Sequence, residues 1–335
     1  MSARASRYDY AYACGRVNAL ATKLIDRARY QRMVEAHDAA EALRVLAETD
    51  YAGAVAEIRD PSEFEIALAH ELDRVYRLLA ELAPDPFLLL MFGYRFDFHN
   101  LKVLLKAAAA GQDYSHLLVR RGTVPPDRLA AALEGRAELP APFVGLVATA
   151  QEAFAATQDP QLIDAMLDGA LYKLLADEAR RRRYELILRY MQASIDLINI
   201  RTFLRVRRLG KDETFLRQVL LDGGTLDVRR FIALHGQPLD AFADRLARTP
   251  YWRIAAEGVR LLSEGAPLSG LEKLSDDYLT ALVKEAKFVP LGPEPLFAYV
   301  LAKESEIRNI RIILAGKVNG VPAEIIRERL RDVYV

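Results

Sequence analysis

One short pattern occurs three times in this chain, and it constrains the fold more than any other feature. It reads Asp97, Asn100, Leu101, Lys102, Leu105, Gly111, then Asp196, Asn199, Ile200, Arg201, Leu204, Gly210, then Glu306, Asn309, Ile310, Arg311, Leu314, Gly320. An acid is followed by Asn at +3, an aliphatic at +4, a cation at +5, an aliphatic at +8 and Gly at +14. The copies stand 99 residues apart (196 minus 97) and 110 apart (306 minus 196), so the chain reads as three versions of one unit of about 100 to 120 residues. With each unit ending shortly after its glycine, the units are 1–115, 116–215 and 216–335.

The symmetry extends beyond the pattern. Leu46, Ala47, Thr49, Tyr51 recur as Leu246, Ala247, Thr249, Tyr251, and Gly122-Thr123 recurs as Gly224-Thr225, each just after a motif segment. Apolar residues return every three or four positions, as at Leu72, Val75, Tyr76, Leu79, which is helix spacing. Ala, Leu, Arg and Glu dominate, so an all-α protein is expected, with breaks where Pro and Gly gather.

At about 100° per residue, the acid, the Asn and the following aliphatics share one helix face, while the +5 cation (Lys102, Arg201, Arg311) points away from its centre. The acids Asp97, Asp196 and Glu306 therefore sit on an apolar face with the asparagines. A polar side chain there needs partners or costs roughly 1 to 3 kcal/mol. Asn100, Asn199 and Asn309 are expected to tie this helix to the backbone or a polar group of a neighbouring helix. The +14 glycines suit left-handed helix ends.

Chemistry is sparse. The 46 basic and 46 acidic residues balance, so no global field draws the chain to nucleic acid or anionic lipid. The apolar run Pro86 to Tyr94 is far short of the roughly 20 residues that span a bilayer, and the first residues do not read as a secretory signal. One cysteine, Cys14, excludes an intrachain disulfide, fits a reducing compartment and reads as a small apolar residue. The five histidines show no metal-ligand spacing, no phosphate loop or nucleophile elbow occurs, and no catalytic residue, cofactor or metal is assigned. The basic run Arg180 to Arg183 reads first as a solvated helix face and second as a partner-binding patch, with Arg182 and Arg183 as candidate contacts. Trp252 is expected in a core or cap.

These motif helices, above all Asp97 to Lys106 and Glu306 to Leu314, resemble those of the C subunit of the bacterial and archaeal V/A-type rotary ATPases, known as the d subunit in the eukaryotic vacuolar enzyme. The opening Tyr10, Ala11, Tyr12, Ala13, Arg16, Val17 and the segment Leu46 to Tyr51 are similar to the same family's landmarks. The resemblance implies three similar helical domains in a pseudo-threefold funnel. It implies a non-catalytic socket that joins the central-stalk subunits to the membrane proteolipid ring for proton or sodium transport, peripheral on the cytoplasmic face. A helical scaffold binding another protein is the alternative, although solenoid repeats run only about 20 to 50 residues. An enzyme with a site where the units meet is a third reading that lacks a suitable polar set.

Overall fold

The computed structural model describes residues 5–335. All regular structure among them is helical. The α-helices are α1 (Ala11–Ala21), α2 (Arg27–Glu35), α3 (Ala39–Leu46), α4 (Ala52–Val55), α5 (Phe64–Leu82), α6 (Phe87–Ala110), α7 (Pro126–Leu133), α8 (Leu146–Thr157) and α9 (Pro160–Arg182). They continue as α10 (Glu185–Arg208), α11 (Glu213–Val219), α12 (Val228–Leu234), α13 (Leu239–Leu246), α14 (Trp252–Ser263), α15 (Ser269–Lys284), α16 (Pro293–Val318) and α17 (Ala323–Arg329). None of them is long and apolar enough to cross a membrane.

Local chemistry sets their ends. Asp26, Asp38, Asp212 and Asp227 precede α2, α3, α11 and α12, and each accepts from a backbone N–H of the first turn. Proline opens α7, α9 and α16, where its missing N–H would have no helical acceptor. The three motif helices α6, α10 and α16 end at Gly111, Gly210 and Gly320, with φ of 62°, 62° and 65°. In each case the following residue donates to a carbonyl five positions back: Gln112 to Ala107, Lys211 to Val206, Val321 to Gly316. That closure requires the left-handed residue the sequence supplies.

Two compact units result, Met1–Leu89 with Glu272–Val335, and Leu90–Leu271. In the first, α16 packs against α1, α3 and α5. It is buried on every side from Pro293 to Val300 and then mainly on one face, through Ile307, Ile310, Ile313 and Leu314. These isoleucines share a core with Tyr30, Met33, Val34, Leu46, Tyr51 and Leu68. In the second unit, α9 packs on α8 and α10, and α14 on α10 and α13. Phe203 of α10 stacks on Phe242 of α13 at 4.2 Å between centroids, with Phe231 of α12 at 6.2 Å. Such contacts bury large apolar area and add about 0.5 to 1.5 kcal/mol through ring geometry.

Candidate functional site

Each motif helix places its acid and asparagine on its buried face, and each pair grips a stretch of non-helical backbone. Asp97, Asn100, Asp196 and Asn199 have no exposure, and Glu306 and Asn309 are nearly as buried. On α6, one Asp97 oxygen accepts from the Thr123 backbone N–H at 2.9 Å and the Thr123 hydroxyl at 2.5 Å. The other accepts from the Val124 N–H at 3.0 Å. On α10, Asp196 accepts likewise from the Thr225 N–H and hydroxyl and the Leu226 N–H, at 3.0, 2.5 and 2.9 Å. Burial pushes the Asp97 carboxyl up, against the lowering pull of the bonds from Thr123 and Val124.

Gly122 and Gly224 make this approach possible. A Cβ at either would stand 2.0 or 2.1 Å from the carboxylate oxygen of Asp97 or Asp196. The repeated Gly-Thr thus has one physical meaning: the glycine admits the carboxylate and the threonine supplies two donors.

The asparagines act on a single residue each. Asn100 donates to the Val119 carbonyl at 2.7 Å and accepts from the Val119 N–H at 2.8 Å. Asn199 does the same to Leu221, at 2.8 Å both ways, and Asn309 to Arg331, at 3.0 and 2.9 Å. A carboxamide offers one donor and one acceptor side by side, matching the N–H and C=O of one extended residue. The gripped backbone lies outside the helices in every copy, at Val119, Leu221 and Arg331, instead of in the neighbouring helix that the sequence leads one to expect.

The third copy reaches a distant part of the chain. Glu306 accepts from the Ile25 N–H at 2.6 Å, from the Tyr51 hydroxyl at 2.9 Å and from Lys303 Nζ at 2.7 Å. Lys23-Leu24 stands where the other copies have Gly-Thr, and the acid is Glu, whose extra methylene lengthens the reach. Lys303 also meets Glu71 at 2.7 Å, and Arg74 forks onto Glu71 at 2.7 and 2.8 Å, so two buried acids face two cations. Burial would lower the Lys303 value, yet Glu306 and Glu71 raise it, and burial would raise the Glu71 value, yet Arg74 and Lys303 lower it.

Further correspondences join the copies. Arg207 and Lys317 both stand 11 positions after a motif acid. Arg207 donates to the His235 and Gln237 carbonyls beyond α12, and Lys317 to the Ala36 carbonyl that ends α2. Thr49 and Thr249 each bond the carbonyl three residues back and accept from Tyr51 and Tyr251, whose rings are buried. Helices α3 and α13 are displaced by 200 positions at both ends, as the Leu-Ala-Thr-Tyr match anticipates.

The remaining sequence-named residues are spread out. Lys102 pairs with Asp168 at 2.8 Å, Arg311 forks onto Glu65 at 2.6 and 2.9 Å, and Arg201 lines a cavity. In the basic run, Arg180 pairs with Asp177, and Arg181 and Arg182 with Glu178, while Arg183 ends α9 in the left-handed region at φ 56°. Trp252 opens α14 at 46% exposure instead of entering the core, because the adjacent Tyr251 takes the inward position. Cys14 is buried and its thiol points at the Gly292 carbonyl at 3.4 Å. Burial raises its value.

Fold and clasps together define an all-helical protein built from internally repeated modules, each tied by a buried acid and a buried amide. Residues 13–329 match the family described as ATP synthase (C/AC39) subunit, and the chain belongs to that family. It is 28% identical to the C subunit of the V-type sodium ATPase of Enterococcus hirae, over 93% of this chain and 95% of that protein. It is 29% identical to the C subunit of the A-type ATP synthase of Thermococcus kodakarensis, over 97% of this chain and 91% of the relative. The corresponding A-type ATP synthase C subunit of a Desulfurococcus species is 28% identical, with 97% and 91% covered.

Proposed function

We propose that this chain is the non-catalytic socket of a V/A-type rotary ATPase, transmitting rotation between the central-stalk subunits and the membrane proteolipid ring. It sits peripherally on the cytoplasmic face and works as three similar helical domains, 1–115, 116–215 and 216–335, around a pseudo-threefold funnel. Family membership supports the reading, and one observation carries it. Each motif helix lies at the end of a repeat unit and its acid grips the start of the next: Asp97 holds Thr123, Asp196 holds Thr225, and Glu306 holds Ile25 of the first. Such head-to-tail linkage suits a part that bears torque, because close-packed interiors resist deformation. Arg182 and Arg183 belong to the same proposal as candidate contacts for stalk or ring.

The test is reconstitution. The purified chain, mixed with the central-stalk proteins and separately with detergent-solubilised proteolipid ring, is expected to form stoichiometric complexes with both. Binding to neither overturns the proposal.

A further inference from the structure

The +5 cations of the three motif helices are not equivalent. Lys102 meets the carboxylate of Asp168, and Arg311 that of Glu65. For Arg201, nothing among the described residues accepts from the buried Nε–H. That Nε is closed off from any ligand, but Arg201, unlike Lys102 and Arg311, meets no carboxylate among the described residues, so its two terminal nitrogens are left for an acceptor from outside the chain. Arg201 lines a cavity of about 590 Å³ between α6, α9, α10 and α11, within the roughly 300 to 1,000 Å³ typical of small-molecule sites. The wall acids Asp164 and Asp168 are already neutralised by Lys106 and Lys102, and Arg205 is engaged by other groups. Tyr172 adds a phenol, and Ile198, Leu209 and Phe215 add apolar surface for a carbon frame.

We propose that this cavity binds a small organic anion of the di- or tricarboxylate class, one of whose carboxylates takes the place at Arg201 that Asp168 and Glu65 take at the other two cations. A planar guanidinium fork matches a carboxylate in two parallel hydrogen bonds, and the apolar wall favours an organic anion over a bare oxyanion.

Calorimetric titration of the full chain at low ionic strength, with citrate and succinate as probes, tests the idea. Saturable binding of one equivalent is expected, tighter for at least one carboxylate probe than for orthophosphate. Arg201→Gln, which removes the charge and the two-bond fork, should weaken it at least about 10- to 100-fold, with an unchanged melting temperature. If that variant does not fold, Arg201→Lys, which keeps the charge and loses the fork, must still weaken binding by about 5-fold or more. No saturable binding of either carboxylate, equal or tighter binding of orthophosphate, or indifference to Arg201 would each overturn the proposal.

Discussion

The backbone N–H of Ile25 donates to the side chain of Glu306 at 2.6 Å across 281 positions of sequence. It reproduces, between the two ends of the chain, the bond that Val124 makes to Asp97 and Leu226 to Asp196 within about 30 residues. Shortening the acid tests its reach. Glu306→Asp should lose the Ile25 bond and lower unfolding free energy by about 1 to 3 kcal/mol in urea. Hydrogen exchange at the Ile25 amide should accelerate, and unchanged protection would refute the assignment.

Gly224→Ala forces a Cβ to within 2.1 Å of the Asp196 carboxylate, so the clasp must open or the loop must shift. A loss of about 1 to 3 kcal/mol is expected. Gly236→Ala meets nothing within 4 Å and should change stability by about 0.5 kcal/mol or less. Equal melting temperatures for the two variants would contradict the close-approach account.

Replacing Asn199 with Leu removes the acceptor and donor that serve both polar groups of Leu221, which is itself buried. Two stranded backbone groups at about 1 to 3 kcal/mol each make this the more damaging change, about 2 to 6 kcal/mol in total. Chemical denaturation measures it directly, and a stable Asn199→Leu protein would show that Leu221 finds other partners.

The charged cluster around Lys303 gives stability a defined pH dependence. Glu71 has a folded value below its ordinary 4.5, so its contribution is present above 4.5 and is lost as pH falls through the folded value. Lys303 has a folded value above its ordinary 10.5, so its contribution is present below 10.5 and is lost as pH rises through the folded value. Glu71→Gln should therefore flatten the acid limb of a plot of unfolding free energy against pH. Asp97, whose value is raised, acts in the opposite sense and is common to both proteins. Parallel acid limbs would remove Glu71 from the account.

Charge reversal at Arg182 and Arg183 separates surface from scaffold. Arg182 is held by Glu178 and largely covered, whereas Arg183 is exposed at the end of α9. Arg183→Glu should weaken assembly with stalk or ring in a salt-dependent manner at unchanged melting temperature. An affinity indifferent to both substitutions would dismiss the basic run as a docking surface.

Much of the helical architecture is legible in the sequence because its causes are local. Spacing of apolar residues gives the helices, Gly111, Gly210 and Gly320 give their ends, and the 200-residue displacement of Leu-Ala-Thr-Tyr gives matching helices α3 and α13. The clasps are half legible: the side chains Asp97, Asn100 and their repeats can be picked out, but their partners are backbone groups, which every residue carries. Ile25 is the extreme case, since Lys23-Leu24 lacks the Gly-Thr signature and only the longer Glu306 hints at the change. Trp252 misleads, and Arg207 goes unnoticed, for a related reason. Their roles depend on which neighbour fills the core and which carbonyls lie in reach, and both are properties of the packed chain.

The bond between Ile25 and Glu306 also sets a schedule. At roughly 5 to 20 residues per second, a ribosome takes on the order of 15 to 60 seconds to travel from one to the other. Throughout that interval Tyr30, Met33, Leu46 and Tyr51 lack Ile307, Ile310 and Ile313, which complete their core. The residues from Leu90 to Leu271 are finished earlier and hold their own clasps, so the middle of the chain can mature during translation. The beginning must wait for α16 to be synthesised, which makes it the stretch where nascent-chain chaperones and proteases have the longest access.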